Sequence, residues 1–363
     1  MNSIDKKHIW AKFCNWVSNH HKLLIIIGSI LVLLTASILV YLFVFNKSTT
    51  PSQSTPQAKV KEVELPKYYS PLTGVLVESD AATKQAVTGI MVENHPDARP
   101  QSGLKEAGVI FEAICEGGIT RFLVLNQSEK PALIGPVRSV RMYYISWASA
   151  FDASIAHVGG NIDALAEMRN GTHRDLDEFS YANTYWRSDD RYAPHNMYTS
   201  SASLDTLNSQ LGYTNSTFKG FSRIDGKPSD IPNATNVNIT ISDELFNSSY
   251  VYDATTNTYA RFQAGEAHLD RELGQITPSV VIGMFVDEYT GPSAEGSEEY
   301  IDTINSGRAV IFQNGIATEA TWQKTGPTSQ IIFTDINGLD IPLIRGQTWI
   351  AAVPNGDGAV VWQ

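Results

Sequence analysis

Two arginines lie three positions apart in the segment IGPVRSVR (134–141), directly after a Gly-Pro pair. Apolar residues follow them at helical spacing, which predicts that a helix begins near Ser139. A helix N-terminus has free N–H groups and a partial positive charge, so Arg138 and Arg141 are unfavourable there unless a negative group lies nearby. That group is either a glutamate of the same chain or a phosphate or carboxylate ligand.

A candidate hairpin supplies two such glutamates. The segment GVIFEAICEGGITRFLVLN (108–126) has two β-rich runs around a Gly-Gly pair, which is typical of a β-hairpin. Because side chains alternate along a strand, a two-residue Gly-Gly loop places Glu112, Glu116 and Arg121 on one face. This group is either an acid/base pair with an electrostatic partner or a cross-strand ion pair that fixes the register.

The segment HVGGN (157–161) predicts a strand, a glycine turn and a helix capped by Asn161. Gly159 and Gly160 would let the backbone approach a ligand closely, and the helix start favours an anion. Gly-Gly pairs also serve ordinary tight connections. His157 is either a proton shuttle or a buried, hydrogen-bonded side chain.

A polar loop, YWRSDDRYAPHNMY (185–198), adds further candidates. Long loops tend to be functional or disordered, and the aromatic residues here argue against disorder. The alternative is a loop held to the domain by its aromatic side chains. The candidate residues in this loop are Arg187, Arg191, His195 and Asn196.

The common signatures of metal and cofactor sites are absent from the sequence. No His-x-x-x-His pair encloses a glutamate, and no cysteines are paired at zinc-binding spacing. The segment HLD, with His268 and Asp270, is too sparse to indicate a site. Phosphate-loop, dinucleotide-binding and Gly-x-Ser-x-Gly motifs do not occur. The sequence therefore predicts no metal and no cofactor.

Residues 23–45 contain no charged side chain and are long enough to cross a bilayer as a helix. The run is longer than the apolar core of a signal peptide, and no small-x-small cleavage site closely follows it, which predicts an uncleaved single-pass anchor. Lysines before the run place residues 1–22 in the cytoplasm as a short tail and the main domains outside. The Ser-, Thr- and Pro-rich residues 46–66 predict a flexible linker.

The length, composition and net charge of the chain limit the number of domains and the classes of partner to expect. With 363 residues, 42% of them apolar, it is large enough for two domains with real cores. A net charge of −11 excludes bulk attraction to nucleic acid. Residues 67–220 mix strands and helices and predict an α/β domain. The pattern of residues 236–363 is almost entirely typical of strands with Asn-Gly turns, which predicts an antiparallel β domain. Whether the two predicted domains share a sheet stays open.

Several of these motifs resemble the YerB-like family, also called DUF3048. The N-terminal motifs are MVENHPDARPQSGL, EGGITRF, IGPVRSVR, HVGG and RYAPHN, and the C-terminal ones are YARFQAGEAHLDRELG, TWQK and GQTWI. The resemblance implies a bacterial, extracytoplasmic, membrane-tethered protein, usually a lipoprotein, with no established activity. Here no cysteine comes just after the apolar run, so we expect the anchor to be a helix instead of a lipid.

The fold class that follows is α+β. We expect the mixed α/β layered sandwich that the resemblance implies, with an antiparallel β unit at the C-terminus and one transmembrane helix before both. The order of GGITRF, IGPVRSVR and HVGG is also similar, as an analogy, to that in envelope phosphotransferases of the LytR-CpsA-Psr type. Those enzymes hold a lipid pyrophosphate with several arginines.

Three hypotheses for function remain. The first is an envelope protein that binds an anionic, cell-wall or lipid-linked ligand through Arg121, Arg138, Arg141, Arg187 and Arg191, with Gly159, Gly160 and Asn196 nearby. The second is an enzyme acting on such a ligand, with Glu112 or Glu116 as base and His157 or His195 as proton shuttle. The third is a scaffold protein whose arginines neutralise buried glutamates. The first two require Arg121, Arg138 and Arg141 to converge on one concave site, which we expect beside Glu112 and Glu116.

Overall fold

The computed structural model describes residues 3–45, 66–293 and 296–363. The predicted linker therefore lies outside the described residues, apart from residue 66. The α-helices are α1 (Ser3–Phe45), α2 (Met142–Ser149), α3 (Ile162–Met168) and α4 (Ser201–Gln210). Short 3-10 helices span Ala81–Lys84, Pro96–Ala98, Glu116–Gly118 and Ala182–Thr184.

The strands of the first half are β1 (Tyr68–Tyr69), β2 (Leu76–Val77), β3 (Thr88–Glu93), β4 (Val109–Ile114), β5 (Thr120–Asn126), β6 (Ser154–His157), β7 (Arg174–Asp177), β8 (Trp186–Arg187), β9 (Met197–Tyr198) and β10 (Arg223–Ile224). Those of the second half are β11 (Asn236–Thr240), β12 (Ser248–Asp253), β13 (Thr258–Gln263), β14 (Glu266–Ala267), β15 (Leu269–Asp270), β16 (Gly274–Gln275), β17 (Val280–Val286), β18 (Glu288–Ser293), β19 (Gly296–Ile301), β20 (Ser306–Gln313), β21 (Ile316–Gln323), β22 (Ile332–Thr334), β23 (Leu343–Ile344), β24 (Thr348–Pro354) and β25 (Ala359–Trp362).

The chain divides at Leu65 into a unit that contains α1 and a second compact unit, Pro66–Gln363. Within α1, the window Ile25–Leu42 has a mean hydropathy of 2.7 and is not buried by protein. It is long and apolar enough to cross a membrane. Because α1 begins at Ser3, the predicted tail and the predicted span belong to one continuous helix.

A ten-stranded mixed sheet runs through the described part of the second unit in the order β22-β21-β20-β17-β24-β4-β5-β3-β6-β7. Strand β24 pairs in parallel with β17 on one side and with β4 on the other. All seven of its residues are buried, as expected of a parallel strand covered on both faces. Residues 67–220 and 236–363 thus contribute to one sheet. The ladders between two strands of the C-terminal half are antiparallel, except that of β17 with β24.

The large sheet lies between two other layers. Helices α2 and α3 cover one face, where Tyr144 and Trp147 pack with Phe111 and Leu123. On the other face, the antiparallel sheet β14-β13-β12-β11-β25 packs its alternate residues, such as Tyr250, against the large sheet, while α4 covers the first-half strands. The predicted α+β layered sandwich is confirmed.

The segment 136–140 differs from its prediction. Helix α2 begins at Met142, and Arg141 is its N-cap residue, so Arg138 is not in the first helical turn. The segment is extended and fills the gap where β3 and β6 diverge: Val137 bridges Val92, and Val140 bridges Gly160. The pairing of its backbone with both neighbours holds the segment extended, since a helix there would leave those groups unpaired.

The connection between the two halves is packed instead of loose. Strand β10 pairs in parallel with β23, and Gly220, just before it, lies against the backbone of Pro71. A Cβ atom on Gly220 would lie 1.9 Å from the carbonyl oxygen of Pro71. The residue must therefore be glycine for the connection to approach this closely.

We expect Gly220→Ala to lower the free energy of unfolding by about 1–3 kcal/mol, because the backbone must move to admit the methyl group. Urea denaturation of the full chain in detergent measures the change. Gly326→Ala is the matched control, since its Cβ would meet only the Ser329 hydroxyl, at 3.3 Å. Equal stability of the two variants would contradict the packed connection.

Candidate functional site

Arg121, Arg138 and Arg141 converge in the structure. Arg121 and Arg141 bind one carboxylate, that of Glu116. Arg138 lies close enough for the positive charges of the other two arginines to act on its pKa. The cluster forms where β3 ends and β5 begins, since Glu93 and Arg121 are paired across these strands.

The predicted register of the β4–β5 hairpin is wrong by one residue. The N–H of Cys115 donates to the carbonyl oxygen of Ile119 at 2.7 Å, so the loop has three residues, Glu116–Gly118. Its two glycines have φ of 66° and 76°, a region that favours glycine. Arg121 therefore pairs with Ala113. A shift of one residue exchanges the faces, which removes Glu112 from the side of Arg121.

Glu116 is a counterion in this cluster. Its carboxylate lies 3.8 Å from Arg121 and accepts a hydrogen bond from Nε of Arg141. Burial acts to raise the pKa of Glu116, but the hydrogen bond and charge of Arg141, together with the charge of Arg121, lower it below its usual value. A carboxyl group that stays ionised is a weak base at neutral pH, so the geometry does not favour Glu116 as a general base.

Arg121 is buried and donates a hydrogen bond to the neighbouring extended segment. Its Nη1 donates to the carbonyl oxygen of Ser139 at 2.7 Å, in the extended segment that carries Arg138. Burial acts to lower the pKa of Arg121, but its electrostatic interactions with Cys115 and Glu116 outweigh that effect and raise the pKa. Arg121 therefore fixes the position of the segment and adds positive charge to the cluster.

Arg138 lies beside Glu93, a residue that sequence reasoning missed. Glu93 is only 4% exposed, and its Oε1 is 3.2 Å from Nε of Arg138 and 3.0 Å from Nδ1 of His195. Neither contact has hydrogen-bond geometry, and Oε2 of Glu93 has no partner among the described residues. Burial lowers the pKa of Arg138, although the negative charge of Glu93 acts to raise it. The signal that could have identified Glu93 is the alternation Glu-x-His-x-Asp after an apolar strand.

The guanidinium of Arg138 is available to a ligand. In the described part of the chain it makes no hydrogen bond, and its side chain is 28% exposed. Arg141, by contrast, donates to the carboxylate of Glu116 and to the carbonyl oxygen of Val140. Arg138 is thus the member of the cluster whose donors can bind an anion.

The loop at residues 185–198 is held by polar contacts. Asn196 accepts from Nη1 of Arg187 at 2.7 Å and donates to the carbonyl oxygens of Ser188 and Arg191. Asn196 therefore organises the loop around its own side chain. The contact with Asn196 gives Arg187 a structural role, and it does not join the cluster of Arg121, Arg138 and Arg141.

Arg191 ties this loop to the turn that follows β3. Its guanidinium donates to the carbonyl oxygens of Ala98 and Pro100. The attachment brings His195 against His95, with ring centroids 4.6 Å apart in a stacked arrangement. Arg191 thus positions His195 next to Glu93 and Arg138.

His157, Gly159 and Gly160 have structural partners. The ring of His157 is fully buried, with Nε2 2.9 Å from Oδ1 of Asp175 and Nδ1 2.8 Å from the carbonyl oxygen of Gly159. That carbonyl also accepts the backbone N–H of Val140, and Gly160 bridges Val140. These residues support the extended segment, and a buried His157 cannot pass protons to a ligand at the surface.

Glu112 belongs to a buried network on the opposite face of the sheet. Its Oε2 lies 3.0 Å from Nη2 of Arg261 and 2.9 Å from Nε1 of Trp349, and Thr120 donates to its Oε1. Arg261 also donates Nε–H to Nδ1 of His268 at 2.9 Å. Burial and the charges of nearby arginines lower the pKa of His268 well below its usual value, which keeps it neutral. Because Glu112 and Arg261 are both inaccessible to solvent, this pair is structural.

Comparisons with known proteins place these residues within two matched family domains. The model of the family described as protein of unknown function (DUF3048) matches residues 72–214 with its N-terminal domain and residues 237–350 with its C-terminal domain. The chain is 32% identical over 303 residues to the "Putative lipoprotein YerB" of Bacillus subtilis (strain 168), which covers 81% of this chain and 89% of the relative. The crystal structure of YerB from Bacillus subtilis matches with a TM-score of 0.71 at 28% identity, over 81% of this chain and 100% of that one.

We expect Glu112→Gln to destabilise the protein by about 3–5 kcal/mol, because it leaves the guanidinium of Arg261 buried without an anion. Glu319→Gln is the matched control: it breaks the exposed pair with Arg308, which is worth about 0–1 kcal/mol. Chemical denaturation measures both. A Glu112→Gln variant as stable as the control would contradict the structural role of the network.

Proposed function

The chain belongs to the DUF3048 family, and from this premise we propose that it is a membrane-anchored envelope protein that binds an anionic ligand through Arg138. The observation that carries the proposal is the guanidinium of Arg138, which lies in a cluster of arginines without hydrogen bonds to the described residues. Its donors are positioned for the oxygens of a phosphate or carboxylate.

The charge of the cluster supports an anion at this place. Three guanidinium groups face two carboxylates, those of Glu93 and Glu116, which leaves positive charge in excess. Arg121 and Arg141 are both directed to Glu116, as the scaffold hypothesis requires of its arginines. Arg138 differs, since its contact with Glu93 lacks hydrogen-bond geometry. The binding hypothesis therefore rests on Arg138, supported by the positive charge of Arg121 and Arg141.

The proposed location follows from α1 and from the relative. A helix with the length and hydropathy of Ile25–Leu42 can serve as an anchor, and the relative is named a putative lipoprotein. Lysines in the part of α1 before the apolar span favour the N-terminus of the helix on the cytoplasmic side. The ligand would then be a cell-wall or lipid-linked molecule with a phosphate or carboxylate group.

An enzymatic role on the same ligand is the second candidate, and it is favoured by one contact. Nδ1 of His195 lies 3.0 Å from the carboxylate of Glu93, which also contacts Arg138. A carboxylate beside an imidazole is a common arrangement for proton transfer, and the His195 side chain is 19% exposed. Of the acid/base candidates from the sequence, His195 is the one whose position suits this role.

The topology is tested by protease added to intact spheroplasts of a bacterial host that expresses the full chain. We expect digestion to a fragment that contains α1, because residues 66–363 would lie outside the cytoplasm. Mass spectrometry of the untreated protein should find residues 1–22 still attached, which separates an anchor from a cleaved signal. Full protection of the chain, with digestion after lysis, would overturn the proposed topology.

The anion site is tested with Arg138→Lys. A lysine keeps a positive charge beside buried Glu93 but loses the planar pair of donors, so we expect affinity for inorganic pyrophosphate to fall about tenfold with little change in melting temperature. Calorimetric titration of the full chain in detergent, at low ionic strength and with EDTA present, measures the affinity. Succinate in a parallel titration separates phosphate from carboxylate recognition.

The matched control is Arg308→Lys, which changes an exposed arginine of β20 that pairs with Glu319. It should bind pyrophosphate as tightly as the unchanged chain. Equal affinities of the Arg138→Lys and Arg308→Lys variants would reject Arg138 as the binding residue. A large loss of stability in Arg138→Lys with unchanged affinity would instead favour the scaffold hypothesis.

A further inference from the structure

Three metal-binding side chains meet next to the end of β3, although the sequence spacing predicts no metal site. His95, Asp97 and His195 each offer one ligand atom, and these atoms lie within 4.8 Å of one another. The first two follow β3 directly, and the third comes from the loop that Arg191 attaches to the same turn. We propose that His95, Asp97 and His195 bind a divalent metal ion of the Zn²⁺ class.

The distances suit such an ion. Zinc bonds of about 2.0–2.1 Å to nitrogen and oxygen place neighbouring ligand atoms about 3.3 Å apart in a tetrahedral site. Nδ1 of His95 lies 3.7 Å from Oδ2 of Asp97, close to that separation. The Asp97 side chain is 74% exposed, so it can rotate toward an ion without disturbing the core.

The position of the His95 ring is set by the turn that it caps, Pro96–Ala98. Its Nδ1 accepts the backbone N–H of Asp97 at 3.2 Å. An imidazole nitrogen has one lone pair, so ligation of a metal ion by Nδ1 would replace this hydrogen bond.

Glu93 supplies a second, independent indication. It is nearly fully buried, and its Oε1 lies 3.0 Å from Nδ1 of His195. This contact lacks hydrogen-bond geometry in the bare protein, but it leaves the other ring nitrogen, Nε2, for an ion. Metal-binding histidines commonly have a carboxylate beside their second ring nitrogen. Oε2 of Glu93 has no partner among the described residues, so a polar atom is buried at the site without a role in the bare protein.

The set of ligands indicates the metal and its coordination. Two imidazoles and one carboxylate favour Zn²⁺ and similar first-row ions over Mg²⁺ or Ca²⁺, which prefer oxygen ligands. Three protein ligands leave a fourth position open to water or to a bound anion. The inference does not depend on the anion proposal, because the ligands differ from Arg138 and metal binding is measured without added phosphate.

The experiment uses the full chain in detergent without a polyhistidine tag, with Cys14→Ser in every protein because that exposed thiol also binds zinc. Equilibrium dialysis with metal analysis should find about one Zn²⁺ per chain in the parent protein. His195→Ala and His95→Ala should each weaken binding more than about tenfold, and Glu93→Gln about tenfold. Co²⁺ in place of Zn²⁺ should give visible absorption bands that the two alanine variants lose.

The matched control is His173→Ala. His173 is also a mostly buried histidine, and its Nε2 lies 2.7 Å from a carboxylate, that of Glu167. This variant should bind Zn²⁺ like the parent. Absence of Zn²⁺ binding by the parent, or equal losses in the His173→Ala and His195→Ala variants, would overturn the proposal. If His195→Ala fails to fold, as judged by its melting transition, Asp97→Asn tests the same ligand set at an exposed position.

Discussion

An ion pair withdrawn from water, between Glu112 of β4 and Arg261 of β13, links the two halves of the protein. Such a pair is tolerated only when the remaining donors and acceptors are also satisfied. Here Arg261 additionally contacts Tyr250, Gln263 and His268, and Glu112 accepts from Thr120 and Trp349. The guanidinium also lies 4.3 Å above the ring of Trp349. Because these groups come from β4, β5, β12, β13 and β24, the network specifies how the small sheet sits on the large one.

The requirement that buried charges be fully hydrogen-bonded distinguishes the structural ion pairs from the charged groups at the candidate site. On the face with the small sheet, Arg261 is inaccessible and all its partners are internal. At the ends of β3 and β5, Glu116 holds Arg121 and Arg141, and Arg138 remains partly exposed beside Glu93. Burial and complete hydrogen bonding therefore mark the first group as structural. Partial exposure and unfilled hydrogen-bonding capacity distinguish the second group, which is where we propose that a ligand binds.

Local sequence signals predicted local structure well. The family expected from the motifs is confirmed, Asn161 caps α3, and the Asn-Gly pair at 314–315 joins β20 to β21. The convergence of Arg121 and Arg141 near Glu116 was also expected. The role of Glu112 was not, because one residue in the length of a glycine loop decides the face on which a side chain lies, and both loop lengths suit Gly-Gly. The partners Glu93 and Arg261 are brought in by pairings distant in sequence, which local patterns do not encode.

The position of β24 has a consequence for how the protein is made. This strand ends at Pro354 and lies between β17 and β4, so the large sheet cannot close until the chain has been synthesised through residue 354. Until then, the edge of β4 that pairs with β24 has unpaired backbone groups, and its apolar side chains are exposed. Such an edge is prone to pair with other chains. The many contacts distant in sequence also make closure slow. A truncation before Thr348 would remove β24, the strand that pairs with both halves.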